Sequence, residues 1–381
     1  MDLLSKLLKE MINTRASDLF LSTGTAPVFR INGKLRPVNI PALAAGRTEK
    51  MAKLIMTKEQ IAAFEENPEA NIGCTIPGIG RFRFNIFKQR NETAMVIRAV
   101  PSSVPDFETL GIPTMLRDIV MMKRGLVLVV GPSGAGKSTT LAAMIDYRNN
   151  KDLSHIVTIE DPIEYIIEHK KSIVNQRELG VDTNSYHNAL INALRQSPDV
   201  IMVGEIRDRE MMENVLEFSD TGHLCLATLH ANNASQAFDR VIHMFPKDKH
   251  EQICIGLSHN VKAVISQILV PTVDGNRTVA IELLTLTPRI SDLIARGKFG
   301  ELHDVLEKDT NSGMFTMDQS LYHLFCNGRI TEETALAYAN SVSNMRLQIR
   351  LSGQGTNNKK KPKPSQSVEK DNTVTVGSPP N

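Results

Sequence analysis

The stretch Gly131-Pro132-Ser133-Gly134-Ala135-Gly136-Lys137-Ser138 has the form G-x-x-x-x-G-K-S. Its three glycines let the backbone curl until several N–H groups point at one place, where they cradle phosphate oxygens. Lys137 brings a cation to the outer phosphates, and the Ser138 hydroxyl can ligate Mg²⁺. Before the loop, Leu126-Val127-Leu128-Val129-Val130 is a short apolar run of the kind that forms a buried parallel strand. After it, Leu141-Ala142-Ala143-Met144-Ile145 suits a helix, whose N-terminus favours an anion. A turn that merely joins two elements needs no such register of strand, loop, Lys-Ser and helix. The segment therefore predicts a nucleoside triphosphate site, without saying what the nucleotide drives.

Around this loop, from Gly125 onward, short apolar runs alternate with helical stretches: 126–130, 156–159, 200–203 and 224–227. That alternation predicts an α/β domain with a mostly parallel sheet. Ligands of such sheets bind at the C-terminal edge of the strands. Thr158-Ile159-Glu160-Asp161-Pro162-Ile163-Glu164 puts three carboxylates at one such end, able to orient a water or to hold Mg²⁺ through water. Asp199-Val200-Ile201-Met202-Val203-Gly204-Glu205 is an apolar strand ending in an acid, the form of a Walker B segment. In Thr221-Gly222-His223-Leu224-Cys225-Leu226-Ala227-Thr228-Leu229-His230 two histidines flank a strand. Their spacing is too long for an i,i+4 metal pair, but either imidazole could hydrogen-bond a γ-phosphate.

Upstream, Leu3, Leu4, Leu7, Leu8, Met11 and Ile12 recur at helical spacing. Strands are expected at 18–22 and 28–31 with an Asn32-Gly33 hairpin turn, and a helical stretch at 48–64. Arg81-Phe82-Arg83-Phe84-Asn85-Ile86-Phe87 alternates polar with apolar residues, and 94–100 could pair with it. Arg81 and Arg83 then share a polar face, with Arg98 on the partner strand. They are either an exposed charged face or an arginine finger completing a phosphate site. This outlines an α+β N-terminal domain over 1–101 and a linker over 102–124 punctuated by Pro105 and Pro113. An α/β domain over 125–351 that carries the nucleotide site, helical after about Pro288, and a Ser/Gly/Asn/Lys/Pro-rich disordered tail over 352–381 complete the division.

The chain has 381 residues, 41% apolar and 23% charged, with net charge +2. Five lysines against two acids give the tail +3, so the remainder carries −1. The folded part thus lacks the basic excess of many nucleic-acid binders, and no nucleic-acid partner is expected. No apolar stretch approaches the ~20 residues of a membrane span, and no secretory signal is expected. Cys74, Cys225, Cys254 and Cys326 are scattered, without a C-x-x-C pair. They read as reduced structural thiols.

Four motifs in order, G-P-S-G-A-G-K-S-T-T-L, T-I-E-D-P-I-E-Y, Q-S-P-D-V-I-M-V-G-E-I-R-D and T-G-H-L-C-L-A-T-L-H-A-N-N-A, resemble those of the secretion-type hexameric ATPases of type II secretion and type IV pili. Within that group the chain is similar, over residues 1–351, to the twitching-motility retraction ATPases of the PilT/PilU type. The resemblance implies a PAS-like N-terminal domain followed by a RecA-like P-loop domain, assembled as a homohexamer. It implies ATP with Mg²⁺ on Gly131, Ser133, Gly134, Ala135, Gly136, Lys137, Ser138 and Thr139. It also implies Glu164 as the glutamate that activates water, and Glu205, with Ser138, as the Mg²⁺-associated acid. His223 and His230 match the His-box pair, and Arg83 and Arg98 the arginines that reach phosphate across the domain interface. The implied partners are a paralogous retraction ATPase and an inner-membrane pilus platform protein. The implied location is cytoplasmic, peripheral at the inner-membrane pilus base.

The A-I-R-N-L-I-R-E motif of the main retraction motor is replaced by Arg289-Ile290-Ser291-Asp292-Leu293-Ile294-Ala295-Arg296, which reads as a plain helix with Leu293 and Ile294 in the core. Residues 194–199 and 223–233 and the ending Asn344-Met345-Arg346-Leu347-Gln348-Ile349 look more like the accessory PilU type. Two other classes fit the nucleotide motifs. A RecA-like nucleic-acid motor would be stimulated by DNA or RNA. A nucleotide-binding regulator of a paralogous motor would hydrolyse little by itself.

Overall fold

The computed structural model describes residues 2–31, 33–101, 103–309 and 312–351. The expected tail, 352–381, and Asn32 of the expected turn lie outside the described residues. The described residues divide into two compact units, with the break at residue 102.

In the first unit, strands β1 (Asp18–Leu21), β2 (Val28–Ile31), β3 (Lys34–Pro37), β4 (Glu69–Ile76), β5 (Gly80–Gln89) and β6 (Glu92–Val100) form one antiparallel sheet. Its order is β3-β2-β1-β6-β5-β4. The helix Asp2–Asn13 buries Leu4, Leu7, Leu8 and Met11 at i, i+3, i+4 and i+7. Ile12, expected on that stripe, is instead exposed. On β5, Phe82, Phe84 and Ile86 point into the core, and Arg81 and Arg83 take the other face. The expected helical stretch over 48–64 is two helices, Arg47–Lys53 and Lys58–Glu66. The break comes at Thr57, whose hydroxyl accepts from the Gln60 N–H while the Gln60 side chain accepts from the Thr57 N–H. This reciprocal cap starts a new helix, and its T-x-x-Q pattern was legible in the sequence.

The second unit is built on seven strands: β7 (Gly125–Val130), β8 (His155–Glu160), β9 (Ile173–Glu178), β10 (Val200–Val203), β11 (Leu224–Leu229), β12 (Val261–Pro271) and β13 (Arg277–Thr285). The order is β13-β12-β7-β11-β10-β8-β9, parallel except for the β12–β13 hairpin. Every residue of β7 is buried, because both faces of the sheet are covered. Leu126, Leu128 and Val130 pack with the helices Tyr186–Leu194, Arg209–Asp220 and Ala234–His243. Val127 and Val129 pack with Leu141, Ala142, Met144 and Ile145 of the helix Lys137–Lys151.

Residues 103–124, expected as a linker, fall in this second unit and place Phe107, Ile112, Leu116, Ile119 and Val120 in its core. Arg148 ties them down: its Nη1 donates to the carbonyls of Val120 and Met122, each at 2.8 Å. Beyond Pro288 the chain is helical, as expected, and Ile290, Leu293 and Ile294 are core residues. The α/β architecture, an α+β N-terminal unit followed by a RecA-like P-loop unit, is the fold read from the sequence.

Candidate nucleotide site

Four parallel strands end on one edge of the second unit's sheet. There β7 runs into Gly131, β8 ends at Glu160, β10 runs into Gly204 and Glu205, and β11 runs into His230. A cleft of about 370 Å³ opens along this edge. Ser133, Gly134, Lys137 and Ser138 line it from the loop side; Glu164, Glu205 and His230 line it from the other strand ends.

The phosphate loop has the conformation its glycines predict. Gly131 has φ 153°, and a Cβ there would stand 2.3 Å from the Gln267 carbonyl oxygen. Gly136, at φ 89°, is the N-cap of the helix Lys137–Lys151, so that helix's free N–H groups open toward the cleft. Within the loop, Gly131 and Ala135 are buried while Ser133 and Gly134 are exposed. Lys137 Nζ donates to the carbonyls of Gly131 and Pro132 at 2.9 and 3.0 Å. Burial holds its pKa below the usual lysine value, against the opposing pull of Glu205. The Thr139 hydroxyl is 3.1 Å from the hydroxyl of Tyr165, which lines the cleft.

The acids differ in environment. Glu160 is buried, and burial pushes its carboxyl above the usual range although Thr158 and Gln176 donate to it at 2.7 and 3.1 Å. Glu164 reaches the cleft from an exposed position four residues on. Glu205 is held between two donors, with Arg207 Nε 2.9 Å from Oε2 and His230 Nε2 2.9 Å from Oε1. Arg207 also pairs with Asp161 at 2.9 Å and lies over the Tyr186 ring. Burial raises the Tyr186 hydroxyl far above its ordinary value. Asp161, Arg207, Glu205 and His230 thus form one chain of polar contacts along the strand ends. Sequence reasoning gave Arg207 no role, although it stands two residues after Glu205 in the quoted motif.

His223 requires a correction. It precedes β11, and its carbonyl accepts from Gly125 N–H at the start of β7, 3.0 Å away. A six-residue strand rising about 3.3 Å per residue separates it from His230. His223 therefore sits at the opposite sheet edge, with Nδ1 3.1 Å from the Phe218 carbonyl oxygen and its ring edge-on to Phe218. Flanking an odd or even number of strand residues says nothing of which end matters; a strand's two ends lie far apart by construction.

Arg83 and Arg98 belong to the first unit, directly opposite each other on β5 and β6. Arg98 donates from Nε to Asp18 Oδ1 at 2.9 Å, and Asp18 is buried.

Among the described residues no group of three His, Cys, Asp or Glu side chains is placed to hold a metal ion. The oxygen donors that line the cleft include the Ser138 hydroxyl and the carboxylates of Asp161, Glu164 and Glu205. That set suits Mg²⁺ completed by phosphate oxygens and water rather than an all-protein cage.

Residues 1–312 match the family described as "Type II/IV secretion system protein". The chain belongs to this family. Within the type II/IV secretion system proteins it is of the PilT/PilU type. It is 49% identical to the type IV pilus ATPase PilU of Pseudomonas aeruginosa, over 91% of each chain. It is 41% identical to the type IV pilus retraction ATPase PilT of the same organism, over 87% of this chain and 96% of that one. Among solved structures, the pilus retraction motor PilT with bound ADP superposes with a TM-score of 0.84 at 41% identity. The match covers 90% of this chain and 98% of that one. The edge-on cleft of this secretion-family chain therefore lies on a fold shared with a nucleotide-binding pilus motor.

Proposed function

We propose that this chain is an ATP-hydrolysing motor that powers or assists type IV pilus retraction, working as a homohexamer at the cytoplasmic face of the inner-membrane pilus base. The observation that carries the proposal is the cleft itself. One sheet edge brings together a complete phosphate loop, an accessible glutamate and an acid clamped by a histidine. The kinship with PilU and PilT, and the ADP held by that PilT structure, support the nucleotide and the output. Among the described residues no helix is long and apolar enough to cross a membrane, so membrane location would come through a partner such as a pilus platform protein.

The roles are those the family resemblance implies, and the surroundings of the cleft residues support them. Loop N–H groups and Lys137 would hold the β- and γ-phosphates. Glu164 would take the proton of the attacking water. Glu160 is unsuited to that task, since it is buried and its Oε1 already accepts from both Thr158 and Gln176. Ser138 and Glu205 would hold Mg²⁺, which neutralises charge on the transferred phosphoryl group. His230 fixes Glu205, and Arg83 and Arg98 would complete the phosphate site from an N-terminal domain.

A regulatory reading has its own support. Residues 289–296 depart from the main motor's helix motif, and identity to PilU exceeds that to PilT. Purified turnover, with and without the paralogous ATPase, separates the two. The motor reading expects Mg²⁺-dependent ATP hydrolysis that Glu164→Gln slows by about 10²–10⁴-fold while ATP still binds. Wild-type turnover in that variant, or no hydrolysis by the intact protein alone or with its paralogue, would overturn it. In cells, loss of the chain should leave pili present and twitching impaired.

A further inference from the structure

Strand β12 enters the sheet beside β7 with Ser266 level with Val130. Gln267 therefore stands beside the first residue of the phosphate loop, 1% exposed. It meets the loop twice. Its main-chain oxygen lies where a side chain on Gly131 would have to be, 2.3 Å from the Cβ position. Its side chain turns to the other end of the loop, where Nε2 donates to the Ala135 carbonyl at 2.7 Å. The same nitrogen lies 3.3 Å from the Cβ position of Gly136. The amide end facing Ala135 has to be the NH₂, because the amide oxygen would set acceptor against acceptor.

The remaining amide atom, Oε1, is buried and finds no hydrogen-bond partner among the described residues. An unpaired buried oxygen is costly, and an apolar side chain of similar length would fill the space without it. What the amide supplies is its donor. The peptide joining Ala135 to Gly136 is planar, and in a trans peptide C=O and N–H point in opposite directions. A hydrogen bond that draws the Ala135 oxygen down toward the sheet turns the Gly136 N–H away from it, toward the cleft.

We propose that Gln267 is a positioning residue for nucleotide binding: it anchors the loop at Gly131 through its main chain and at Ala135 through its amide, and so aims the Gly136 N–H at bound phosphate. This inference rests on the reading of the loop as a nucleotide site. No sequence motif marks Gln267, which lies in a strand far along the chain from the loop it holds.

The test uses the full chain and a fluorescent ADP analogue with Mg²⁺, read beside the thermal midpoint of nucleotide-free protein. Gln267→Met should weaken binding by about tenfold or more, the loss of roughly one charge-assisted phosphate hydrogen bond. Its nucleotide-free midpoint should hold or rise, since the unpaired oxygen is gone. Gln267→Glu should bind poorly at pH 8, where a carboxylate faces the Ala135 oxygen. It should recover toward wild type, compared at the same pH, as protonation restores a donor. Ser266→Ala loses a contact to Glu282 at 3.2 Å and none to the loop, so its binding should equal wild type. Wild-type affinity in a folded Gln267→Met protein overturns the inference. So does weakened binding that merely tracks a fall in thermal midpoint, or a Gln267→Glu protein without pH recovery. Failure of the intact protein to bind the analogue would sink the nucleotide-site reading itself, a distinct result.

Discussion

His230 Nε2 stands 2.9 Å from Glu205 Oε1, joining the ends of two neighbouring parallel strands, β11 and β10. With Arg207 on the other oxygen, the carboxylate is fixed on both sides before any ligand engages it. A group so held needs little further ordering, which is what a metal-associated acid requires. His230→Ala should therefore lower kcat by about 10–100-fold, the usual effect of removing a partner of a metal-associated ligand. ADP binding should change far less. Turnover and equilibrium binding measured on the same preparation check this; equal losses in both would assign His230 to binding instead.

Gly131 sits against a main-chain oxygen rather than a side chain, so the space cannot be made by rotating a neighbour. Gly131→Ala should displace either the loop or β12, at a cost on the order of 1–3 kcal/mol. For a unit of this size each kcal/mol lowers the melting temperature by about 2–4 °C. Nucleotide binding should fall further than stability, because the loop is the element that can yield. Differential scanning fluorimetry with and without ADP measures both, and an unchanged ADP-induced shift would contradict the expectation.

The core of the second unit was legible because β7, β8, β10 and β11 are short, apolar and bounded by glycines, acids or histidines. The strands carrying Gln267 and Glu282 were not. β12 and β13 mix Ser, Gln and Glu among aliphatic residues, and those polar groups are buried only because the hairpin brings them together. Periodicity scores a buried Gln as a break in a strand. The edge strand β9 failed for a related reason: Ile173-Val174-Asn175-Gln176-Arg177-Glu178 is largely polar and takes its place by pairing with β8. Loop residues declared themselves by motif, whereas Gln267 and Gln176, which hold the loop and Glu160, are set by register between distant strands.

Arg98 has a structural duty besides any contact with phosphate. It donates twice to Asp18, whose carboxylate is 3% exposed on β1. Removing the guanidinium leaves that carboxylate with Ser17 and a distant Arg30 at 3.9 Å. Arg98→Ala should therefore destabilise the first unit by about 1–3 kcal/mol, the cost of an under-satisfied buried polar group. The double variant Arg98→Ala with Asp18→Asn should recover part of the loss, since no buried charge then remains. Chemical denaturation of the three proteins decides the point, and full additivity would show that the two residues do not interact. Only activity still missing from the stabilised double variant can be assigned to phosphate contact.

Glu282 offers a test of the buried polar hairpin through pH. Burial raises its carboxyl above the ordinary carboxylate range, outweighing the Ala234 N–H and the Ser266 hydroxyl that donate to it at 3.5 and 3.2 Å. The unfolded chain ionises this group at a lower pH than the folded protein does. Its neutral form therefore contributes stability that is complete below the unfolded value of about 4.3 and is lost as pH rises through the raised folded value. Glu282→Gln keeps the shape and stays neutral at every pH. The variant should melt above wild type at pH 8, and the difference should narrow as pH falls toward the ordinary carboxylate range. Melting curves of both proteins across that range carry the decision. A gap that stays constant with pH would mean that the substitution acts through packing, leaving the carboxyl without a titration effect on the hairpin.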